Sequence, residues 1–268
     1  LVLVWTRTHG SKFVLEVIFG MTQTCVSDYL SFSIIILISV LHRKNDAKIR
    51  RPTVEKIQQY KDAVAERHPA LSDVWCAMDG IKLMIQSAGD DEGKNCYYNG
   101  WTCDHYVNAV LVFCPDGTIP ICCYNVPGTV HDSLVAVFGS VYNKLENIFQ
   151  SCGGRCVVDS ALARNNYTFL IKSEKPAVGM TVEKMNLAAE AMSMRQSAEW
   201  GMQAFQALFP RVKDRIEFES IGQRKLMMKV MILLFNLCAH RVRINQILNV
   251  YLTSLNTRPC RPIRNRLG

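Results

Sequence analysis

At Val74 the hydrophobic period of the chain changes from 3.6 to 2, and that change limits the folds it can adopt. Before Val74, apolar residues recur at helical spacing. From Ala77 to Gln86 they alternate, which marks a strand carrying Asp79, with Gly80 allowing another backbone to come close. Tyr106–Cys114 reads as a second strand, Pro115-Asp116-Gly117-Thr118 as a turn, and Ile119–Asn125 as the third strand of a meander. Pro127-Gly128 breaks the chain, and a helix is expected from Asp132 to about Phe149. Gly153-Gly154 then leads into the short apolar strand Cys156-Val157-Val158, which ends at Asp159. Tyr167–Lys172 is a fifth strand candidate. Met185–Phe209 is an amphipathic helix with its stripe on Leu187, Ala191, Met194, Ala198, Met202, Phe205 and Phe209. Lys225–Leu252 supplies a last helix or helix pair. The order β-β-β-α-β-(β)-α defines an α/β class with a mixed sheet and flanking helices.

The N-terminal part is helical. Residues 11–41 read as two helices broken at Gly20, capped by Ser11 and by Thr22 or Thr24. A helix, a Gly-containing turn and a second helix outline a helix-turn-helix, whose second helix would turn Thr24, Ser27, Asp28 and Ser31 outward. The same outline describes any αα-hairpin. The run Leu30–Leu41 is 12 residues with three serines, too short to cross a bilayer, and reads as a buried helix. Arg43, Lys44, Lys48, Arg50 and Arg51 follow a helical pattern and form a charged linker to a helix from Val54 to Arg67, opened by Pro52. Three parts result: 1–70, helices (helix-turn-helix at about 11–41) and basic linker; 71–216, a strand-rich core; 217–268, C-terminal helices and a basic tail from Thr257.

Charge follows the same division. Residues 1–70 hold 10 Lys/Arg against 6 Asp/Glu, residues 200–268 hold 12 against 3, and the block 71–199 reverses the balance with 9 against 14. An acidic centre between basic flanks suits carboxylates that hold cations beside a polyanion; the plainer alternative is that basic flanks keep the protein soluble. The 268 residues are 49% hydrophobic and 20% charged, which excludes a disordered or collagen-like chain. Eleven cysteines lack zinc-site spacing, and their odd number favours free thiols. No GxSxG, Walker A or GxGxxG run occurs. His131-Asp132-Ser133 cannot be a nucleophilic triad, because adjacent side chains diverge; Asp132 or Ser133 reads as a helix cap, with His131 near the site or in the turn.

Three acids stand where structural acids are poor choices. Asp79 lies within an apolar strand, Asp159 at the carboxyl end of another, and Glu199 beside the apolar stripe of a helix. In this topology all three reach one sheet edge. A trio of carboxylates suits Mg²⁺, and two such ions can clamp a phosphoryl displacement. The competing reading for Glu199 is a surface bridge to Arg195, one helical turn earlier, and for Asp79 a turn aspartate before Gly80.

At these residues the chain resembles the PIF/Harbinger-like DDE transposases and the DDE-superfamily endonucleases related to them. The likeness runs through Met78-Asp-Gly80, Tyr98-Asn-Gly-Trp101, Asp104-His-Tyr-Val107, Phe113-x-Pro-Asp-Gly-Thr118, Asn125-Val-Pro-Gly128, His131-Asp-Ser133, Val158-Asp-Ser-Ala161, Arg195-Gln-Ser-Ala-Glu-Trp-Gly-Met202, Phe209-Pro-Arg-Val-Lys213 and Ile244-Asn-Gln-Ile247. Cys238, Arg243 and Lys94-Asn95 depart from the family pattern. The resemblance implies a ribonuclease-H-like core behind a helix-turn-helix, and cleavage and joining of double-stranded DNA. It places the catalytic, metal-holding trio on Asp79, Asp159 and Glu199, with His131, Asp132 and Arg195 around it and Thr24, Ser27, Lys82 and Lys213 toward DNA. It further implies two Mg²⁺ ions (Mn²⁺ able to substitute), a homodimer, a Myb-like DNA-binding partner, residence in the nucleus and no membrane. A fold kept without catalysis, as a DNA- or partner-binding protein, and a metal-dependent ribonuclease are the competing functions.

Overall fold

The computed structural model describes residues 1–8, 12–86, 95–162, 167–175, 179–216, 220–243 and 245–251. The cap expected at Ser11, the tail from Thr257, and the motif positions Lys94 and Ile244 lie outside them. Helices α1 (Val2–Arg7), α2 (Lys12–Phe19), α3 (Gln23–Leu41) and α4 (Val54–Arg67) precede the sheet. Thr22 Oγ1 accepts from Cys25 N to cap α3, and Thr53 Oγ1 accepts from Lys56 N to cap α4. Between them, residues 42–53 form turns and an extended run. The helical pattern expected for the linker cations is therefore absent: the chain turns at Ala47 N→Lys44 O (3.0 Å), and Asn236 then binds the Lys48 carbonyl, diverting the backbone from a helical path.

The sheet is built from β1 (Val74–Met84), β2 (Tyr98–Asn99), β3 (Asp104–Phe113), β4 (Ile121–Pro127), β5 (Arg155–Val158) and β6 (Leu170–Lys172). β2 and β4 both pair antiparallel with β3, and β3 pairs antiparallel with β1. β5 then joins β1 in parallel, and β6 joins β5 in parallel. This mixed sheet with its flanking helices fits a ribonuclease-H-like core.

The single helix expected over 132–149 is two, α5 (Asp132–Phe138) and α6 (Val141–Cys152). Gly139 lies so close to β4 that a Cβ there would meet Cys123 Cβ at 2.2 Å, and Ser140 turns the chain at φ 51°. α7 (Val182–Leu208) packs on β1, and α8 (Ile221–Arg241) and α9 (Gln246–Tyr251) close the described chain. Phe113 of β3, Phe205 of α7, Phe209 just past its end and Phe235 of α8 form a chain of edge-on and tilted rings with centroids 5.3–6.3 Å apart.

α3 differs most from its sequence reading. The apolar run belongs to a continuous helix of 19 residues, long and apolar enough by length and composition to cross a membrane. Only one stripe, Val26, Leu30, Ile34, Ile38 and Leu41, is buried, because α3 is covered on one side by α2 and α8. The opposite stripe of Cys25, Tyr29, Phe32, Ile36 and Val40 is exposed; Phe32 is 63% accessible. Every described cysteine is free.

Gly201 on α7 carries the tightest contact of the aromatic core: a Cβ there would lie 2.5 Å from the Phe113 ring. Gly201→Val is expected to cost about 2 kcal/mol through overpacking, read as a fall in the urea midpoint. Gly100→Ala, with open space around it, should leave that midpoint within error.

Candidate active site

Strand register assembles the acidic edge. In the parallel β1–β5 pair, Met78 stands opposite Val158, so the next residue of each chain, Asp79 and Asp159, emerges side by side where β5 ends. Asp79 Oδ1 accepts from Gly80 N at 2.8 Å. Asp159 Oδ1 accepts from Ser160 Oγ at 2.8 Å and Ala161 N at 3.3 Å, which turns the chain away from the sheet. Burial pushes the Asp79 carboxyl up from 3.8 to about 6. The Gly80 N–H and the Arg195 guanidinium oppose the rise, and the Asp159 and Glu199 carboxylates add to it.

A fourth carboxylate joins them. A Cβ on Gly80 would lie 2.7 Å from Asp132 Oδ2, so the glycine beside Asp79 leaves the room that Asp132 fills. Burial raises the Asp132 pKa, Lys82 and His131 lower it, and Asp159 raises it again. The cap of α5 is neither Asp132 nor Ser133, as the sequence suggested. His131 is the N-cap, its Nδ1 accepting from Ser133 N at 3.4 Å, which leaves Asp132 as the first helical residue, turned onto Gly80.

Glu199 sits on α7 with its carboxylate held by Arg195 NH2 at 2.6 Å, the bridge between successive turns that the sequence left as its plainer reading. Arg195 therefore has two roles here: partner to Glu199 and counter-charge to Asp79. Asp159 and Arg195 also line an open groove of about 410 Å³ together with Ser160, Lys172 and Lys175. Those last three were not singled out from sequence. The signal available was the charge cluster directly after the last parallel strand, where Lys172 pairs with Glu174 at 2.6 Å.

The remaining residues divide between this edge and elsewhere. Lys82 is exposed on β1 within electrostatic reach of Asp132. Lys213 is exposed on a 3-10 turn, Pro210–Lys213, just before Ile216 pairs with Ile85 past the end of β1. Thr24 and Ser27 lie in the first turns of α3, among the helices and not at the acidic edge; Thr24 is exposed and Ser27 half-buried. Two arginines outside the family-like motifs brace the sheet. Arg215 forks onto Asp104 at 2.9 and 2.6 Å, and buried Arg224 donates to Asn125 Oδ1 and Tyr97 Oη.

Among the described residues, no set of three His, Cys, Asp or Glu side chains stands close enough to form an ion cage. The donor set itself is hard oxygen throughout, and Asp79 is half-buried with its charge incompletely compensated, which fits a divalent cation of the Mg²⁺ kind. Residues 78–236 match the family model of the DDE superfamily endonucleases, and the chain belongs to that family. Neither a curated protein nor a solved structure matches it.

Because the Asp79 pKa is raised on folding, its stabilising share is full below pH 3.8 and is lost as pH rises through about 6. In EDTA at pH 7.5, Asp79→Asn is therefore expected to be more stable than the parent by about 1–3 kcal/mol. The advantage should shrink toward pH 4 in urea titrations run across that range.

Proposed function

We propose that the chain is a divalent-metal-dependent DNA endonuclease and transposase of the PIF/Harbinger-like kind, cutting phosphodiester bonds at element ends and joining 3′-OH ends to target DNA. What supports this reading is that Asp79 and Asp159 stand side by side at one sheet edge, with Glu199 and Asp132 within electrostatic reach, next to a groove lined by Lys172, Lys175 and Arg195 as well as Asp159 and Glu174. Asp79, Asp159 and Glu199 are the ligands and catalytic residues in this reading, for two ions. When bound, Mg²⁺, or Mn²⁺ in its place, would supply activation of the attacking oxygen and neutralisation of charge on the phosphoryl group. The residues of the chain do the positioning. Asp79 gives up its proton readily near neutral pH. Arg195, Lys172 and Lys175 hold the phosphate backbone over Asp159, and Asp132 and Lys82 set the charge on the other side of β1. The second reading, a DNA- or partner-binding protein without catalysis, draws its support from the Glu199–Arg195 pair.

The finer assignments follow. The α2–α3 hairpin is read as the helix-turn-helix, with Thr24 and Ser27 toward DNA and Lys213 on a phosphate; the protein works in the nucleus beside a Myb-like partner. A second copy is the expected occupant of the outer stripe of α3. Its positions Cys25, Tyr29, Phe32, Ile36 and Val40 are nearly symmetric about the helix midpoint, so an antiparallel copy presents the same series. The one charge on α3, Asp28, would stand about 13 Å from its mate, beyond the screening length of about 10 Å at 0.1 M salt.

Anomalous diffraction from Mn²⁺-soaked crystals tests the active-site reading. One or two ions among Asp79, Asp159 and Glu199, with Mn²⁺-dependent nicking abolished in Asp159→Asn, is the expected result; carboxylates that bind no ion overturn it and leave the non-catalytic reading. In light scattering the 30.3 kDa chain should run as a dimer and Phe32→Glu as a monomer.

A further inference from the structure

The linker cations end up around a recess that the catalytic reading does not use. Lys48, Arg50 and Arg51 of the linker, Lys56 of α4 and His240 of α8 line a cavity of about 390 Å³. Arg50 and Arg51 also line an adjoining one of about 290 Å³ with Lys144 of α6. The two form one basic strip along the turn between β3 and β4.

The strip rests on a fixed frame. Buried Asn236 of α8 donates to Lys48 O at 3.4 Å and to Ile119 O at 3.0 Å, and accepts from Ile119 N at 2.8 Å, so one amide ties the linker to the turn. Ala47 is fully buried, and Arg51 donates to Ser151 Oγ. The acids nearby are already engaged. Asp116, the carboxylate in the cavity wall, accepts from Tyr60 Oη, Thr118 N and Thr118 Oγ1, and Asp46 is paired with Arg241 at 2.6 Å. Positive charge is dense enough that Lys229 and Lys48 add to the burial that lowers the pKa of His42.

The recess lies at the end of the sheet opposite Asp159. Phe113 pairs with Ala77 just before the turn, and Arg155 pairs with Val74 where β5 begins. The turn that carries the recess continues from Phe113 toward the N-terminal end of β1, whereas Asp79 and Asp159 lie toward the C-terminal ends of β1 and β5, so the two sites face opposite ends of the sheet.

We propose that this strip is a second, sequence-independent site for the phosphate backbone of duplex DNA, engaging a stretch of the polymer away from the cleavage edge. Guanidinium forks and an ammonium on a pinned backbone match successive phosphates, and an open strip of two joined recesses suits a polymer better than a small anion. The choice of DNA rests on the endonuclease reading; the polyanion chemistry does not.

The test is fluorescence anisotropy of a labelled 40-bp duplex with the full chain in EDTA, from 50 to 300 mM KCl. Lys48→Ala/Arg50→Ala/Arg51→Ala should lower the salt slope by about 2–3, since each lost phosphate contact removes about 0.9, and weaken binding at least tenfold at 50 mM. Arg50→Glu/His240→Glu, which leaves the Ser151 contact intact, should do the same with an unchanged melting temperature. Removing equal charge elsewhere, at Arg67, Lys184 and Lys225, should shift the slope by less than one, and Asp159→Asn should leave it unchanged. An unaltered slope in both recess variants, an equal fall in the control, or no measurable duplex binding by the parent overturns the proposal. So does loss of pyrophosphate binding with duplex binding intact, which would make the recess a small-anion site. Slope loss in a protein that binds no Mn²⁺ would retain the strip and remove only the nuclease.

Discussion

Side-by-side carboxylates at the end of β5 are the constraint around which the rest of the structure is arranged. Parallel pairing of β1 with β5 puts Asp79 and Asp159 together, and burial lifts the Asp79 pKa to about 6. Such crowding is unfavourable for a fold in isolation, because like charges in a half-buried place repel and lose hydration. The protein meets it with small compensations: the Gly80 N–H, a turn that hydrogen-bonds Asp159, and Arg195 reaching from α7. None neutralises the set. The DDE superfamily endonucleases, to which the chain belongs, generally use divalent metal ions, and an uncompensated acidic edge is consistent with that chemistry.

Glycines decide how closely the layers meet this edge. Gly80 leaves the room that Asp132 fills, Gly201 lets α7 approach Phe113, and Gly139 lets the α5–α6 corner touch β4. Each contact is set by an absent side chain, and the helix that carries Glu199 and Arg195 is held by this packing together with polar bonds between Glu190 and Ala70 N and between Ser197 and Tyr251. Farther out, charged and amide groups take over: the exposed Arg215–Asp104 fork and the buried Asn236 bridge hold strand ends and linker.

Much of the core was legible because it depends on local rules. Alternation marked β1, the four-three spacing marked α7, and Thr22, one of two cap candidates, marked the start of α3, while α4 was placed from Pro52 and is capped by Thr53. The acids stood out because ionised groups inside apolar runs need a reason. Less legible were features decided by distant neighbours. The cap at His131, and with it the turn of Asp132 onto Gly80, depends on how α5 meets β1. The break of one helix into α5 and α6 depends on the nearness of β4. A linker with helical spacing became a pinned basic strip because Asn236, 188 residues from Lys48, claimed its carbonyl.

The sequence by itself determined the type and order of the main strands and long helices and marked the acids as candidates, since periodicity and the cost of burying charge act within a few neighbouring residues. Tertiary structure alone decided which charges face one another. It joined Asp132 to the trio, paired Glu199 with Arg195, and separated the linker cations from the acids by the length of the sheet. It also left one side of α3 uncovered. These outcomes come from strand register and helix docking, which place side chains far apart in the chain within a few ångströms, where charge and packing act.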